Sequence, residues 1–226
     1  MWRLGHFALC PFCRTVRLML AEKQVTVQLV HVAPWMSQPV YPELRQSGLV
    51  PLLKTGECNT ILHDHRTICE FVEDSVPANP LIGKSAEQRA QVRQLASWLD
   101  RFCYDAITLP LLVAAFSKVP RPTPPSAKVL GKAAAATSML LDEIAHLIGD
   151  NGWLSGPTLT LADLTAAAHL SVVDYFGAVH WSGHQTAQDW YWAIQARPSF
   201  AGLLTDRIEG IEPPPQYTAI DYQPTD

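Results

Sequence analysis

The sequence predicts an α+β protein in which a small domain built around a β-sheet precedes an all-helical domain. Segments with the alternation and the β-branched residues of strands occur only within residues 1–76. Turn-forming residues concentrate in 77–85, which predicts a linker. No strand pattern appears beyond it. We therefore expect a helical domain over 86–226, ending in an extended proline-rich tail over 212–226.

Two strand patterns and one helix start define the first half of the sheet domain. Residues 2–9 predict a short buried strand. Pro11 follows at a first helical position, where its missing N–H costs no hydrogen bond, and the apolar helix ends near Gln24. The alternating residues 26–32 predict a second strand. A parallel partner for the first strand would make this a βαβ unit with a right-handed crossover.

Turn residues define the second half of the same domain. A short helix is expected over 40–48. Two short apolar segments, 51–54 and 60–63, predict a hairpin, and a helix continues over 67–72. The resulting order, β-α-β-α-β-β-α, fits the sheet of a thioredoxin-like domain.

Proline and capping patterns divide the helical domain. A proline-rich stretch separates the helical segments 86–118 and 126–149, because proline at that density stops helices. Thr160 and Asp163 form a capping-box pattern that begins an apolar helix ending near Phe176. Two later helices are predicted: 186–196 and a short one after Pro198.

Composition and charge limit the cellular compartment and the classes of partner that the protein could bind. The net charge is −4 and basic residues do not cluster, which argues against a nucleic-acid or anionic-membrane partner. No apolar run approaches the ~20 residues of a membrane span. The N-terminal stretch does not have the pattern of a signal peptide. The five cysteines include a single closely spaced pair, unlike a secreted disulfide framework, so we expect a cytoplasmic protein.

The two cysteines at the start of the first helix are candidates for thiol–disulfide chemistry. Cys10 is placed at the helix N-terminus, where free N–H groups favour a thiolate, and Cys13 lies one turn further on and more buried. Arg14 and Arg17 add positive charge nearby. Cys10 would be a nucleophile and Cys13 would resolve a mixed disulfide. Alternatively, both pack in a site that has lost its function. No metal is expected, because no second cysteine or histidine pair accompanies them.

Val50 and Pro51 support a thiol site. In a thioredoxin-like fold the bond before a proline that opens this strand is usually cis and lies beside the thiol. The N–H and C=O groups of Val50 would then be free to pair with a cysteinyl peptide. The alternative is an ordinary trans proline at a sheet edge.

For the other polar and aromatic residues, a structural role in capping or packing is a simpler interpretation than ligand binding. Asp64 and His65 lie at a strand-to-helix corner, and Asp64 is either a helix N-cap or a ligand contact. The remaining cysteines, Cys58, Cys69 and Cys103, are expected to be buried small apolar residues. The aromatic residues of the C-terminal half are expected in the core rather than in a ligand site: Tyr175, Phe176, Trp181, Trp190, Tyr191 and Trp192.

Over nearly the whole chain these residues resemble the glutathione transferase superfamily. The Cys-Pro-Phe start is similar to that of omega-type and glutaredoxin-like members, which use the first cysteine to form a mixed disulfide with glutathione. The resemblance implies glutathione as co-substrate and a homodimer. It rests on four segments: Cys10-Pro11-Phe12-Cys13, Gly48-Leu-Val-Pro51, Asp64 before Ile68-Cys-Glu-Phe-Val-Glu73, and Thr160-Leu-Ala-Asp163.

The resemblance also implies residue roles. Cys10 would be the catalytic thiol, and a hydrophobic co-substrate would lie between the domains near the 86–118 segment. One departure is His65, which stands where the family usually has a serine. A hydroxyl donor to the γ-glutamyl carboxylate is lost there, although a histidine can also donate. The glutathione contacts would be Phe12, Val50, Pro51, Asp64 and His65.

A second set of segments lies in the C-terminal half: 166–175, 189–191, 197–200, 203–210 and 213–222. These segments are similar to those of the FtsZ-localised protein A group, transferase-fold proteins of bacterial cell division that bind the FtsZ polymer. This resemblance implies an alternative function as a non-enzymatic FtsZ-binding module. The chain departs from that group's pattern in its two-cysteine motif. The implied contact surface is the tail, with Arg207, Tyr217 and Tyr222. The simpler alternative is that the tail packs along its own domain, with Tyr217 and Tyr222 as packing anchors.

Overall fold

A computed structural model describes residues 1–32, 50–56, 60–117 and 121–218. It has the predicted α+β architecture, with all four described strands in the N-terminal part. Within those residues the strands are β1 (Trp2–His6), β2 (Val27–His31), β3 (Leu52–Lys54) and β4 (Ile61–His63). The helices of this part are α1 (Pro11–Glu22) and α2 (His65–Ser75).

The four strands form one mixed sheet in the order β2-β1-β3-β4. β1 pairs in parallel with β2, from Trp2 opposite Val27 to His6 opposite His31, which confirms the predicted βαβ unit. β3 and β4 pair as the predicted antiparallel hairpin. The predicted helix over 40–48 lies outside the described residues.

The first strand is shorter than predicted. It ends at His6 rather than at residue 9, because the chain turns there and the Cys10 N–H donates to the Phe7 carbonyl at 3.1 Å. This turn brings Cys10 to the N-terminal end of α1.

The helical part contains six described α-helices: α3 (Ala86–Cys103), α4 (Leu109–Phe116), α5 (Ala127–Ile148), α6 (Leu161–Tyr175), α7 (Gln185–Gln195) and α8 (Ala201–Leu204). A π-helical turn, Tyr104–Thr108, interrupts the segment predicted as one helix over 86–118. Pro110 lies just after this turn and has no N–H to donate to the preceding turn, which explains the break.

Helix α6 is the centre of the molecule. Every one of its residues is buried, and it packs against both α1 and α3. The capping prediction is confirmed: the Asp163 carboxylate accepts from the Thr160 N–H at 2.8 Å. The same carboxylate also accepts from Trp190 Nε1 at 3.0 Å. The position of α6 therefore fixes the helical part against the helix that begins at the thiols. The domain boundary over 77–85 stays a prediction.

Most of the predicted packing residues lie in the core. Cys69 and Cys103 are buried, whereas Cys58 is outside the described residues. The six aromatic residues of the C-terminal half are buried or pack against the core, as expected.

The tail folds back on its own domain as far as residue 218. Tyr217 is fully buried, and its hydroxyl donates to the Leu203 carbonyl at 3.0 Å. A short 3₁₀ turn, Pro215–Tyr217, interrupts the expected extended conformation. The assignment of Tyr217 to a partner-binding surface is therefore wrong, because the side chain is inaccessible. It is a packing anchor.

Across the described ranges, no helix has the length and apolar character needed to span a membrane. In the same part of the chain, no group of three or more His, Cys, Asp or Glu side chains has an arrangement that could hold a metal ion.

Candidate functional site

The site is built around the N-terminus of α1. Cys10 is the N-cap residue, with extended backbone angles, and Pro11 occupies the first turn as predicted. The Cys10 side chain is half-buried, whereas Cys13, one turn further on, is completely buried. The outer cysteine can meet a ligand, and the inner one is enclosed by protein.

Hydrogen bonds favour the Cys10 thiolate. The hydrogen bond from the Cys13 thiol lowers the pKa of Cys10, and it acts together with the N–H groups of Cys13 and Phe12 to outweigh the opposite effect of burial. Burial raises the pKa of Cys13 well above its usual range. The pair is therefore asymmetric: its surroundings favour the thiolate at Cys10 and the protonated thiol at Cys13.

Arg14 adds positive charge that lowers the pKa of Cys10, as the sequence suggested, but the hydrogen bonds of Arg14 and Arg17 are made elsewhere. Arg14 is fully buried, and its guanidinium donates to the Ala8 carbonyl and to Ser171 Oγ, both at 2.7 Å. Arg17 Nη1 donates to Asp206 Oδ2 at 2.8 Å. The charge of Arg14 lowers the pKa of Cys10 less than the hydrogen bonds from Cys13 and Phe12 do. The arginines also join α1 to the helical part.

Val50 and Pro51 lie beside the outer thiol. The Val50–Pro51 peptide bond is cis, as predicted, so the trans alternative is wrong. Cys10 Sγ lies 3.9 Å from the Val50 carbonyl oxygen, and Pro51 is buried.

Asp64 and His65 form the start of α2. Asp64 is the N-cap residue, and its carboxylate accepts from the Arg66 N–H at 2.9 Å and from the Thr67 N–H at 3.1 Å. The capping interpretation of Asp64 is thus confirmed. The His65 ring stacks on Phe12, with ring centroids 4.5 Å apart.

A buried carboxylate orients His65. His65 Nε2 lies 2.7 Å from Asp100 Oδ2, and Arg66 Nε donates to the same oxygen at 3.1 Å. Burial alone would raise the pKa of Asp100, but hydrogen bonds from His169 and His65 hold it well below its usual range. Because Asp100 is ionised, His65 Nε2 carries the donated hydrogen. That hydrogen is not available to a ligand.

Asp100 and His169 were not identified from the sequence. His169 Nε2 lies 3.5 Å from Asp100 Oδ1, and burial lowers the pKa of His169. The available signal was an aspartate in the apolar stripe of α3, between Leu99 and Cys103. Its partners lie on other elements, so spacing along the chain does not reveal them.

Two cavities meet at Phe12 and Tyr104. The first, of about 430 Å³, is largely apolar and includes Cys10, in the region where the sequence predicted a hydrophobic co-substrate. The second, of about 440 Å³, is polar. The apolar walls are Phe7, Pro11, Val50, Leu109, Leu112, Val113 and Phe116. The polar walls are Asp64, His65, Arg66, Ser97, Asp100, Arg101 and Asp105.

The predicted partner-binding residues are not in these walls. Arg207 is exposed and donates to the carbonyls of Leu204 and Asp206. Tyr222 lies outside the described residues. Of the three tail residues, Arg207 is the one that the structure describes as exposed.

Replacing Cys13 by alanine should raise the pKa of Cys10, because the thiolate loses its strongest hydrogen-bond donor. The ultraviolet absorbance of the thiolate, titrated against pH with Cys10→Ser as the blank, measures this directly. Cys13→Ser retains a donor and should shift the titration less. An unchanged titration in Cys13→Ala would show that the helix N-terminus alone sets the pKa.

Known glutathione S-transferases match this chain in sequence and in fold. The family profile described as "Glutathione S-transferase, N-terminal domain" matches residues 4–80. A glutathione S-transferase structure from Rhodospirillum rubrum F11 superposes with a TM-score of 0.91 at 37% identity, covering 98% of this chain and 100% of that one. A glutathione S-transferase from Methylobacterium radiotolerans JCM 2831, in complex with glutathione sulfonate, has a TM-score of 0.72 at 26% identity, covering 92% and 99%.

The chain also matches a protein that is named for its localisation with FtsZ rather than as a transferase. It is 36% identical over 222 residues to FtsZ-localized protein A of Caulobacter vibrioides, covering 97% of each chain. Together these similarities confirm both resemblances seen in the sequence. The chain therefore belongs to the glutathione S-transferase superfamily, and within it to the group that includes FtsZ-localized protein A.

Proposed function

We propose that this protein is a glutathione-dependent thiol transferase with Cys10 as its nucleophile. The observation that carries the proposal is the position of Cys10. It caps α1, it is accessible, and hydrogen bonds from Cys13 and Phe12 favour its thiolate. A thiolate at such a position is the reactive form of cysteine.

The first step is a thiol–disulfide exchange. The Cys10 thiolate attacks the glutathione sulfur of a mixed disulfide between glutathione and a second thiol. The new bond joins Cys10 to glutathione, the old disulfide breaks, and the released thiolate takes a proton from water. The apolar cavity beside Cys10 would hold the apolar part of that second thiol.

The second step restores the enzyme with glutathione as reductant. A second glutathione thiolate attacks the glutathionyl sulfur on Cys10, which releases glutathione disulfide and regenerates the Cys10 thiolate. Cys13 offers another route, in which it displaces glutathione and leaves a Cys10–Cys13 disulfide. Burial disfavours the Cys13 thiolate, so we propose that the route through a second glutathione predominates.

The bound glutathione would lie across the start of α1 and α2. Its cysteinyl backbone would pair with Val50, beside Pro51, and its γ-glutamyl end would reach past Phe12 toward Asp64 and His65. A relative bound to glutathione sulfonate supports this class of ligand. Because the four cysteines that the structure describes are free thiols, we propose a cytoplasmic location, and we propose a homodimer by analogy with the superfamily.

Trapping the intermediate tests the proposal. The Cys13→Ser variant is incubated with glutathione disulfide, and intact-mass and peptide mass spectrometry follow the adduct. We expect one glutathionyl group on Cys10, and none in a Cys10→Ser/Cys13→Ser variant. Modification of another cysteine with Cys10 left free would contradict the assignment of the nucleophile.

The 36% identity to FtsZ-localized protein A favours a second candidate function, binding to FtsZ filaments. Arg207 is the exposed residue of the implied tail surface, and Tyr217 is excluded by its burial. The two functions can coexist, since Arg207 lines neither cavity at the thiol site.

Co-sedimentation with FtsZ filaments tests the second candidate. Binding should survive Cys10→Ser and fall with Arg207→Ala or Tyr222→Ala. The point variants leave the buried Tyr217 anchor in place, whereas a truncation before it would remove part of the core. Failure of the wild-type protein to co-sediment would exclude this function.

A further inference from the structure

The polar cavity lies where a ligand held at Cys10 would extend. It is bounded by the start of α2 and by one face of α3 and the π-helical turn. That face presents Ser97, Arg101 and Tyr104, one helical turn apart. Tyr104 and Phe12 also line the apolar cavity that contains Cys10, so one ligand can occupy both spaces.

Three N–H groups that could bind a carboxylate at the start of α2 are already used. The N–H groups of Arg66 and Thr67 donate to the Asp64 carboxylate at 2.9 and 3.1 Å. His65 Nε2 is engaged by Asp100 at 2.7 Å. The other ring nitrogen, Nδ1, lies 3.8 Å from Asp64 Oδ2, so a carboxylate already faces it. An anionic ligand group would therefore gain from a donor outside the start of α2.

Arg66 is poorly placed to donate hydrogen bonds to an anionic ligand group. Its Nε donates to Asp100 at 3.1 Å, and Nη2 donates to the Ser97 carbonyl at 3.4 Å. Much of its donor capacity is thereby used in holding α2 against α3.

Arg101 is the cation of the cavity wall that remains available. It is exposed on α3, and across the described parts of the chain its guanidinium makes no hydrogen bond or ion pair. A guanidinium binds a carboxylate with two parallel hydrogen bonds. On the same wall, Asp105 and Asp64 provide exposed carboxylates for an ammonium group. The wall therefore suits a zwitterionic amino-acid end.

We infer that Arg101 is a specificity-determining residue that binds the α-carboxylate of the γ-glutamyl end of glutathione. It takes over the role of the serine that His65 replaces, from the helical part of the chain. The inference rests on the proposed function, because it concerns how the same glutathione is held.

Calorimetric titration of the full-length reduced protein tests this role. The two probes are glutathione and 4-aminobutanoyl-cysteinylglycine, which lacks only the γ-glutamyl α-carboxylate. Wild type should bind glutathione about tenfold more tightly than the probe without the carboxylate. Arg101→Gln should lose that preference, with little change for the probe. Arg101→Lys should retain part of it. Arg121→Gln, which lines neither cavity, is the matched control and should behave as wild type.

The possible results distinguish a failure of the role of Arg101 from a failure of the proposed glutathione function. If wild type binds glutathione and Arg101→Gln keeps the full preference, the role of Arg101 is overturned and the thiol transferase proposal stands. If wild type binds neither probe, the glutathione function fails and the inference falls with it. Equal thermal unfolding midpoints of wild type and Arg101→Gln would establish that the lost preference is local to the cavity.

Discussion

Turnover of a glutathione mixed disulfide should fall to background in Cys10→Ser, a loss of roughly a thousandfold or more. The physical reason is that a serine hydroxyl remains protonated at the helix N-cap, where the Cys13 thiol and two N–H groups lower the pKa of the Cys10 thiol. The rate is measured by coupling glutathione disulfide formation to glutathione reductase.

Cys69→Ala is the control for this loss. Cys69 is buried and burial raises the pKa of its thiol, so it should not take part in the exchange, and the variant should retain turnover once it is folded. Residual turnover in Cys10→Ser comparable to wild type would mean that another group is the nucleophile, and the account of the site would be wrong.

Asp206→Asn should destabilise the protein by about 3–5 kcal/mol. Asp206 accepts from Arg17 Nη1 at 2.8 Å and from Arg14 Nη2 at 3.3 Å, and the Arg14 side chain is fully buried. Removing the carboxylate charge leaves the two enclosed guanidinium groups with neutral hydrogen-bond partners and without the carboxylate that they share. Urea unfolding followed by circular dichroism gives the free energy of unfolding.

Asp150→Asn is the matched surface control and should change the free energy of unfolding by less than about 0.5 kcal/mol. Arg17→Met combined with Asp206→Asn should be less destabilising than the sum of the two single changes, because the partners share one interaction. A loss below about 1 kcal/mol in Asp206→Asn would show that this buried cluster does not hold α1 to the helical part.

The features predicted correctly from sequence depend on residues close together in the chain. Cys10 at the helix N-terminus follows from the proline after it. Asp64 as an N-cap and the Thr160–Asp163 capping box follow from spacings of two or three residues. Such local geometry is nearly independent of the remaining fold, so a sequence pattern suffices.

The features that were missed depend on contacts between distant parts of the chain. The positive charge of Arg14 near the thiol was predicted, whereas the hydrogen bonds of its guanidinium to Ser171 and Asp206, 157 and 192 residues away, were not. The contact between His65 Nε2 and Asp100, 35 residues away, was likewise not predicted. Periodicity shows that these side chains face inward and leaves their partners undetermined.

The most direct test of the central claim is the rate of Cys10 alkylation by iodoacetamide as a function of pH, followed by peptide mass spectrometry of the wild-type protein. We expect an inflection below about 8.5, the ordinary pKa of a free cysteine, with Cys10 modified well before Cys13. An inflection at or above that value, or modification of Cys13 first, would contradict an activated thiol at Cys10.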